Sequence, residues 1–226
     1  AAAAAYLGTP SLQDPRYGGA NPWYAAQRYV LAQLYKISDA FRAVYGDAAM
    51  NKTVRVVYEC QSEQPALAAD TLAWAWHVYP KPPSHYLWGL MSAPYHGTDK
   101  ADVGTKQEII DGVWTNLNHK VAWGEYLPQE NPRRFNSWEC RYYSVAQAYG
   151  LKWGCYEAGL DIGGTSNRAN KFAACYDPQA EDFTIANIAL CMANGCALYM
   201  YYKATSAYGE HTFGATDDAT KLDNPR

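Results

Sequence analysis

The order of helical and strand patterns along the chain predicts an α/β fold built on a parallel sheet. Four short apolar segments, at 53–60, 87–93, 151–156 and 196–202, have the composition of strands, and helical patterns separate them. Strands that alternate with helices pair in parallel, because each helix carries the chain back across the sheet. The segments are almost continuously apolar, which is typical of strands covered on both faces.

The helical segments are identified by apolar residues spaced three or four positions apart. The first follows Asn21 and Pro22, a favourable N-cap and first-turn pair, and Gly46 is its predicted end. Its predicted apolar face consists of Val30, Leu34, Ile37, Phe41 and Val44. Further helices are predicted at 65–78, 106–123, 138–149 and 183–192, and a loose loop is predicted at 163–170.

Composition excludes several classes of protein. The chain has 226 residues, of which 49% are hydrophobic and 18% charged, so it can bury a core and is not a disordered chain. A net charge of −3 argues against nucleic acid or an anionic membrane surface as a partner. No apolar run is long enough to cross a bilayer. Twenty Tyr and eight Trp against five Phe favour surfaces that bind sugars or proteins, although many of these rings also serve as packing.

The cysteines and one glycosylation signal favour an extracellular, secreted protein. Six cysteines, none in a C-x-x-C pair, fit disulfides in an oxidising compartment, and 15 pairings are open. Asn51, in Asn51-Lys52-Thr53, is an N-glycosylation acceptor. We expect no cofactor and no metal site. Residues 1–20 stay unassigned, with the alanines at 1–5 interpreted as unidentified side chains, and a single domain is expected over 21–226.

Candidate functional residues follow the predicted strands, where parallel α/β folds bind ligands. They are Glu59 at the end of the first strand, Tyr95 and His96 after the second, Glu157 after the third and Tyr202 at the end of the fourth. No glycine-rich phosphate loop and no G-x-S-x-G elbow occurs, which disfavours a dinucleotide fold and an α/β-hydrolase.

Carboxylates at strand ends suit sugar chemistry. Retaining glycoside hydrolysis uses two carboxyl groups about 5–5.5 Å apart, one as nucleophile and one as acid/base. Glu157 is the nucleophile candidate, with a structural carboxylate paired to an arginine or a backbone amide as the alternative, and Glu59 is a weak catalytic candidate. Tyr95, His96 and Tyr202 are the predicted substrate contacts, with His96 expected as a wall residue rather than a base.

Two segments also carry a family resemblance. Residues 151–159, LKWGCYEAG, and 90–97, LMSAPYHG, resemble strand ends of cellulase-like retaining glycosidases with a (β/α)₈ barrel. The resemblance implies that the four strands are strands five to eight, the C-terminal half of a TIM barrel, and that Glu157 is the nucleophile. It also implies an acid/base glutamate preceded by asparagine after strand four, and this sequence contains no Asn-Glu pair.

Three functions remain open from the sequence. The first is a glycoside hydrolase acting on extracellular β-linked polysaccharide by a retaining two-carboxylate mechanism. The second is an inactive glycosidase-like barrel that serves as a structural or carbohydrate-binding glycoprotein, with other chains or a missing N-terminal half as partners. The third, a metal-dependent lyase or deacetylase, is disfavoured because the histidines lack paired ligand spacing; they are His77, His85, His96, His119 and His211.

Overall fold

A computed structural model of the chain describes residues 21–61, 64–124, 138–205, 214–216 and 220. The chain divides into two compact units, one formed by 1–92 with 141–154 and the other by 93–140 with 155–226. Within the described ranges, no helix is both long enough and apolar enough to cross a membrane. The segment 1–20 and His211 lie outside the described residues.

The first unit is a small parallel sheet with helices. Its strands are β1 (Val57–Glu59), β2 (Gly89–Ser92) and most of β4 (Lys152–Cys155), and β2 lies between the other two. β1 and β2 pair in parallel, with Val57 opposite Gly89 and Glu59 opposite Met91. The helices are α1 (Pro22–Tyr45), α2 (Pro65–Val78), α3 (Pro83–Tyr86) and most of α5 (Trp138–Ala148). The α/β class with a parallel sheet is therefore confirmed.

The buried face of α1 differs from the predicted one. The helix buries the side that carries Ala25, Arg28, Leu31, Tyr35 and Ser38. The predicted apolar face is largely exposed instead, and Val44 at its end is 74% exposed. Arg28 is fully buried and donates to Asp70 on α2 at 3.1 Å, so this ion pair replaces part of the apolar contact that the sequence pattern predicted.

The second unit contains the remaining elements. These are β3 (His96–Gly97), α4 (Lys106–Gly124), β5 (Leu160–Asp161), α6 (Arg168–Cys175), α7 (Gln179–Ala193), β6 (Cys196–Tyr199), β7 (Lys203–Thr205) and β8 (Gly214–Thr216). β3 pairs in parallel with β5, and β7 with β8. The core joins α4, α6 and α7 through side chains such as Ile109, Val113, Leu160, Cys175 and Phe183.

Two predicted elements have different bounds in the structure. Strand β1 begins at Val57 rather than at Thr53, because Asn51 has a φ of 61° and Met50 bridges Val54 in a tight turn. The loop predicted at 163–170 ends early, since α6 begins at Arg168 after Asn167, which itself has a φ of 50°. Asn167 stabilises this irregular entry by donating to the carbonyl oxygens of Ala101 (3.0 Å) and Gly104 (2.6 Å).

The buried residue Lys171 stabilises the loop that follows β5. Lys171 on α6 is 1% exposed, and its ammonium contacts Asp102 Oδ1 at 2.6 Å and the Gly163 carbonyl oxygen at 2.5 Å. Ser166 also donates to Asp102 Oδ1. The hydrogen bond from Lys171, followed by that from Ser166, lowers the pKa of Asp102 below its ordinary value of 3.8.

The lowered pKa of Asp102 predicts that the folded protein is less stable in acid. Because the folded state lowers the pKa of Asp102, its contribution is present above pH 3.8 and disappears as the pH falls through the lower folded value. The variant Asp102→Asn removes the titrating group, so its melting temperature should fall less steeply between pH 5 and about pH 2.5 than that of the parent chain. Identical pH profiles for the two proteins would contradict the assignment.

Candidate functional site

Three segments of the second unit meet around the turn that follows β4. The Tyr202 amide donates to the Ala158 carbonyl oxygen at 2.8 Å, and the His96 amide donates to the Gly159 carbonyl oxygen at 3.0 Å. The Met200 amide donates to the Cys155 carbonyl oxygen at 3.2 Å. The backbone thus brings together the predicted site residues of the second, third and fourth strand ends.

The Glu157 carboxylate and the Tyr202 hydroxyl both affect the pKa of Tyr95 at this turn. Burial raises the pKa of the Tyr95 hydroxyl most, and the negative charge of Glu157 raises it next, followed by Tyr202, Asp161 and Tyr156. The Tyr95 and Tyr202 rings lie edge to face with centroids 6.2 Å apart. Glu157 is half-buried and Tyr202 is 42% exposed, so a carboxylate and an accessible aromatic ring occur at one surface.

The His96 side chain is buried at this turn. It is 1% exposed, and the backbone of His96 belongs to the short β3–β5 pair, where it lies opposite Leu160. Tyr95 directly precedes His96 and is half-buried, which leaves part of that ring accessible.

Asn187 fixes the turn that presents Tyr95. It is fully buried on α7, and its amide nitrogen donates to the Pro94 carbonyl oxygen at 3.1 Å and to the Tyr199 hydroxyl at 2.8 Å. One side chain therefore connects the segment before Tyr95 with β6, which leads to Tyr202.

Gly159 is needed where the turn meets the next segment. Its φ is 144°, and a Cβ at this position would lie 2.9 Å from the ring carbon Cζ of Tyr201. A side chain would therefore displace the Tyr201 ring or the backbone that follows Glu157. The absence of a Cβ lets this ring pack directly against the turn.

Glu59 and Asn51 belong to the first unit. Glu59 is exposed at the end of β1, whereas its neighbours Tyr58 and Cys60 point to the opposite, buried side. The Asn51 amide nitrogen, the atom to which a glycan would be attached, donates to the Ser84 carbonyl oxygen at 3.0 Å. Glycosylation at Asn51 stays a prediction, and one of the two amide hydrogens would remain for this hydrogen bond once a glycan is attached.

The described cysteines are separate thiols. Cys60, Cys155, Cys175, Cys191 and Cys196 are all buried, and no pair of these sulfur atoms is at bonding distance. Within the described part of the chain, no group of three or more His, Cys, Asp or Glu side chains is arranged to hold a metal ion.

The sequence patterns did not identify Asp161 and Asn187. Asp161 lies on β5, a two-residue strand that is too short to give a periodic signal. Asn187 did leave a signal, because it lies on the helical face formed by Ala180, Phe183 and Leu190. A polar residue in the middle of such a face indicates a buried hydrogen-bonding role.

No protein-family model matches the chain, and searches among curated proteins and among solved structures find no match either.

Proposed function

We propose that the chain is a glycoside hydrolase-like protein that acts on extracellular β-linked polysaccharide, with Glu157 as the nucleophile of a retaining mechanism. The observation that supports this best is the position of Glu157, half-buried after β4 beside Tyr95 and the exposed ring of Tyr202. The resemblance of 151–159 and 90–97 to strand ends of cellulase-like barrels assigns the same residue.

The chemistry needs an ionised carboxylate beside a platform for a sugar ring. The apolar faces of pyranose rings stack on aromatic side chains, while tyrosine hydroxyls supply hydrogen bonds at the rim. In a retaining reaction the carboxylate attacks the anomeric carbon and forms a covalent glycosyl intermediate, which water then hydrolyses. The second carboxyl group, the acid/base, has Asp161 as a candidate within the second unit.

Binding of soluble β-linked polysaccharides tests the proposal first. The variant Tyr202→Ala removes the exposed ring beside Glu157, and we expect it to weaken binding to the best-bound polysaccharide about 3- to 10-fold. Affinity electrophoresis in gels that contain cellulose derivatives, mixed-linkage glucan, mannan or xylan measures the change.

The matched control is Tyr176→Ala. Tyr176 is another exposed tyrosine of the second unit and follows α6, so the substitution removes the same ring from a different place. It should leave the retardation by polysaccharide unchanged. Equal losses in the two variants, or no retardation of the parent chain by any of these polymers, would overturn the proposed site.

A second candidate function is carbohydrate binding without hydrolysis. One observation favours it: Asp161, the acid/base candidate of the second unit, already accepts a hydrogen bond from the Gly163 amide at 3.3 Å. In this alternative, an inactive barrel would act as a structural glycoprotein, and Tyr202→Ala would still weaken binding.

The proposal also includes a partner segment that covers the edge of β1 and the adjoining face of α1. Among the described strands β1 pairs only with β2, and a groove of about 770 Å³ lies between β1 and apolar residues of α1, with Val30, Leu34, Ile37 and Phe41 among its lining. These features support pairing with a further strand and helix, and our preferred occupant is an upstream segment of the same polypeptide. An intact mass above 25.1 kDa for the native protein, with tryptic peptides from upstream of residue 1, is the expected result.

A further inference from the structure

Three thiols of the second unit lie close together beneath the turn that carries Glu157. Cys155 is the last residue of β4, Cys191 lies on α7 and Cys196 is the first residue of β6. The sulfur atoms of Cys155 and Cys196 are 3.6 Å apart, and Cys155 also has a hydrogen bond with Cys191. Cys175 belongs instead to the core between α4, α6 and α7.

We propose that Cys155 and Cys196 form a disulfide bond when the protein meets a low-molecular-weight disulfide such as oxidised glutathione. This inference does not depend on the proposed function. Closing the bond requires the two sulfur atoms to approach from 3.6 Å to about 2.05 Å. We expect rotation about the Cα–Cβ bonds to bring the two sulfur atoms together.

The two thiols have different parts in the reaction. The hydrogen bond from Cys155 lowers the pKa of Cys196, whereas hydrogen bonds to Cys191 and Cys196 and then burial raise the pKa of Cys155. Cys196 is also 7% exposed, while Cys155 is fully buried. Since the thiolate is the nucleophile and must reach the oxidant, Cys196 reacts first.

The exchange has two balanced steps. The Cys196 thiolate attacks one sulfur of the external disulfide, which breaks that bond and releases one thiolate. Cys155 then loses its proton to the released thiolate and attacks the Cys196 sulfur of the mixed disulfide. This releases a second external thiolate, which takes up the proton that Cys196 had lost to solvent on ionising. Two protein thiols are thus oxidised by two electrons, and one external disulfide is reduced to two thiols.

The bond would connect the two segments that carry the proposed site. Cys155 lies two residues before Glu157, and Cys196 begins the strand that leads to Tyr202. Closing a loop of this length restricts the unfolded chain, so oxidation should raise the melting temperature by roughly 10 °C.

Non-reducing peptide mapping tests the proposal. The full chain is incubated with oxidised glutathione, its remaining thiols are alkylated and it is digested with trypsin. Cys155 lies in peptide 153–168, and Cys191 and Cys196 lie in peptide 172–203 together with Cys175. We expect these two peptides to be joined, with a loss of about 2 Da against the reduced pair and fragment ions that place the bond at Cys196.

Two variants make the outcome decisive. Cys196→Ser should abolish the joined pair and the rise in melting temperature, whereas Cys175→Ser should retain both, because Cys175 packs elsewhere in the unit. A bond from Cys155 to Cys191, a joined pair that persists in Cys196→Ser, or two separately alkylated peptides in the oxidised parent chain would each overturn the proposal.

Discussion

Replacing Glu157 by glutamine is expected to reduce the release of reducing sugar from β-linked polysaccharide by about 10³-fold or more. The substitution keeps the size of the side chain but removes the charge that must attack the anomeric carbon. Binding should survive, because Tyr95 and the exposed ring of Tyr202 remain in place beside position 157. Reducing-sugar assays and affinity electrophoresis on the same protein separate the two effects.

Asp161→Asn is the matched control for this prediction. Asp161 is another carboxylate of the second unit whose negative charge raises the pKa of Tyr95, and the amide variant again preserves the size of the side chain. If Asp161 is the acid/base, its variant should lose activity mainly on substrates with poor leaving groups, whereas Glu157→Gln should lose activity on all of them. Full activity of Glu157→Gln would exclude Glu157 as the nucleophile.

The second large effect is expected from Gly97→Ala. A Cβ on Gly97 would overlap the carbonyl oxygen of Asp161, because β3 and β5 approach closely at this pair. A backbone oxygen moves only with its strand, so we expect the free energy of unfolding to fall by about 2–4 kcal/mol. Polysaccharide binding should weaken as well, since Tyr95 and Asp161 are both placed by this strand pair. Urea unfolding followed by circular dichroism measures the first effect.

Gly46→Ala is the control variant, because it measures the cost of backbone strain without a steric clash. Gly46 has a φ of 76°, but no heavy atom lies within 4 Å of the position of its Cβ. With a ψ of 163° this backbone conformation is essentially restricted to glycine, so its substitution should cost about 1–3 kcal/mol from backbone strain alone. A cost for Gly97→Ala no larger than that for Gly46→Ala would show that β3 and β5 do not approach as closely as the structure has them.

Local patterns predicted the secondary structure of this chain well where the segments are long. The helices at 65–78 and 106–123 and the strand at 87–93 were expected from spacing and composition, and α2, α4 and β2 occupy these places. The two-residue strands β3 and β5 were missed, because pairing between distant segments, and not local sequence, creates them.

The burial of α1 shows where periodicity misleads. Val30, Ile37 and Phe41 follow a regular helical spacing, yet Arg28 and Tyr35 occupy the buried side. Arg28 can be buried because Asp70, 42 residues later, supplies a carboxylate, and Tyr35 because Tyr86 stacks on it at 4.0 Å. Neither partner is visible in the sequence of the helix itself.

The sequence predicted only part of the candidate site, because some of its contacts again come from residues distant along the chain. The rule that ligands meet the carboxyl ends of parallel strands selected Glu157, Tyr95 and Tyr202, and the backbone hydrogen bonds of the turn do bring their segments together. The rule could not identify Asn187, which acts through the Pro94 carbonyl oxygen from the interior of α7. Glu59, chosen by the same rule, lies in the other unit.

Covalent trapping on Glu157 tests the central claim most directly. A 2-deoxy-2-fluoro glycoside with a dinitrophenolate leaving group needs no acid catalyst, so it reports on the nucleophile even where the acid/base is missing. We expect peptide 153–168 to gain the mass of one fluorosugar, on Glu157, after incubation with a glucosyl, mannosyl or xylosyl reagent, and Glu157→Gln to gain none. If no reagent labels a chain that binds polysaccharide, or if the label lies on Asp161, Glu157 is not the nucleophile.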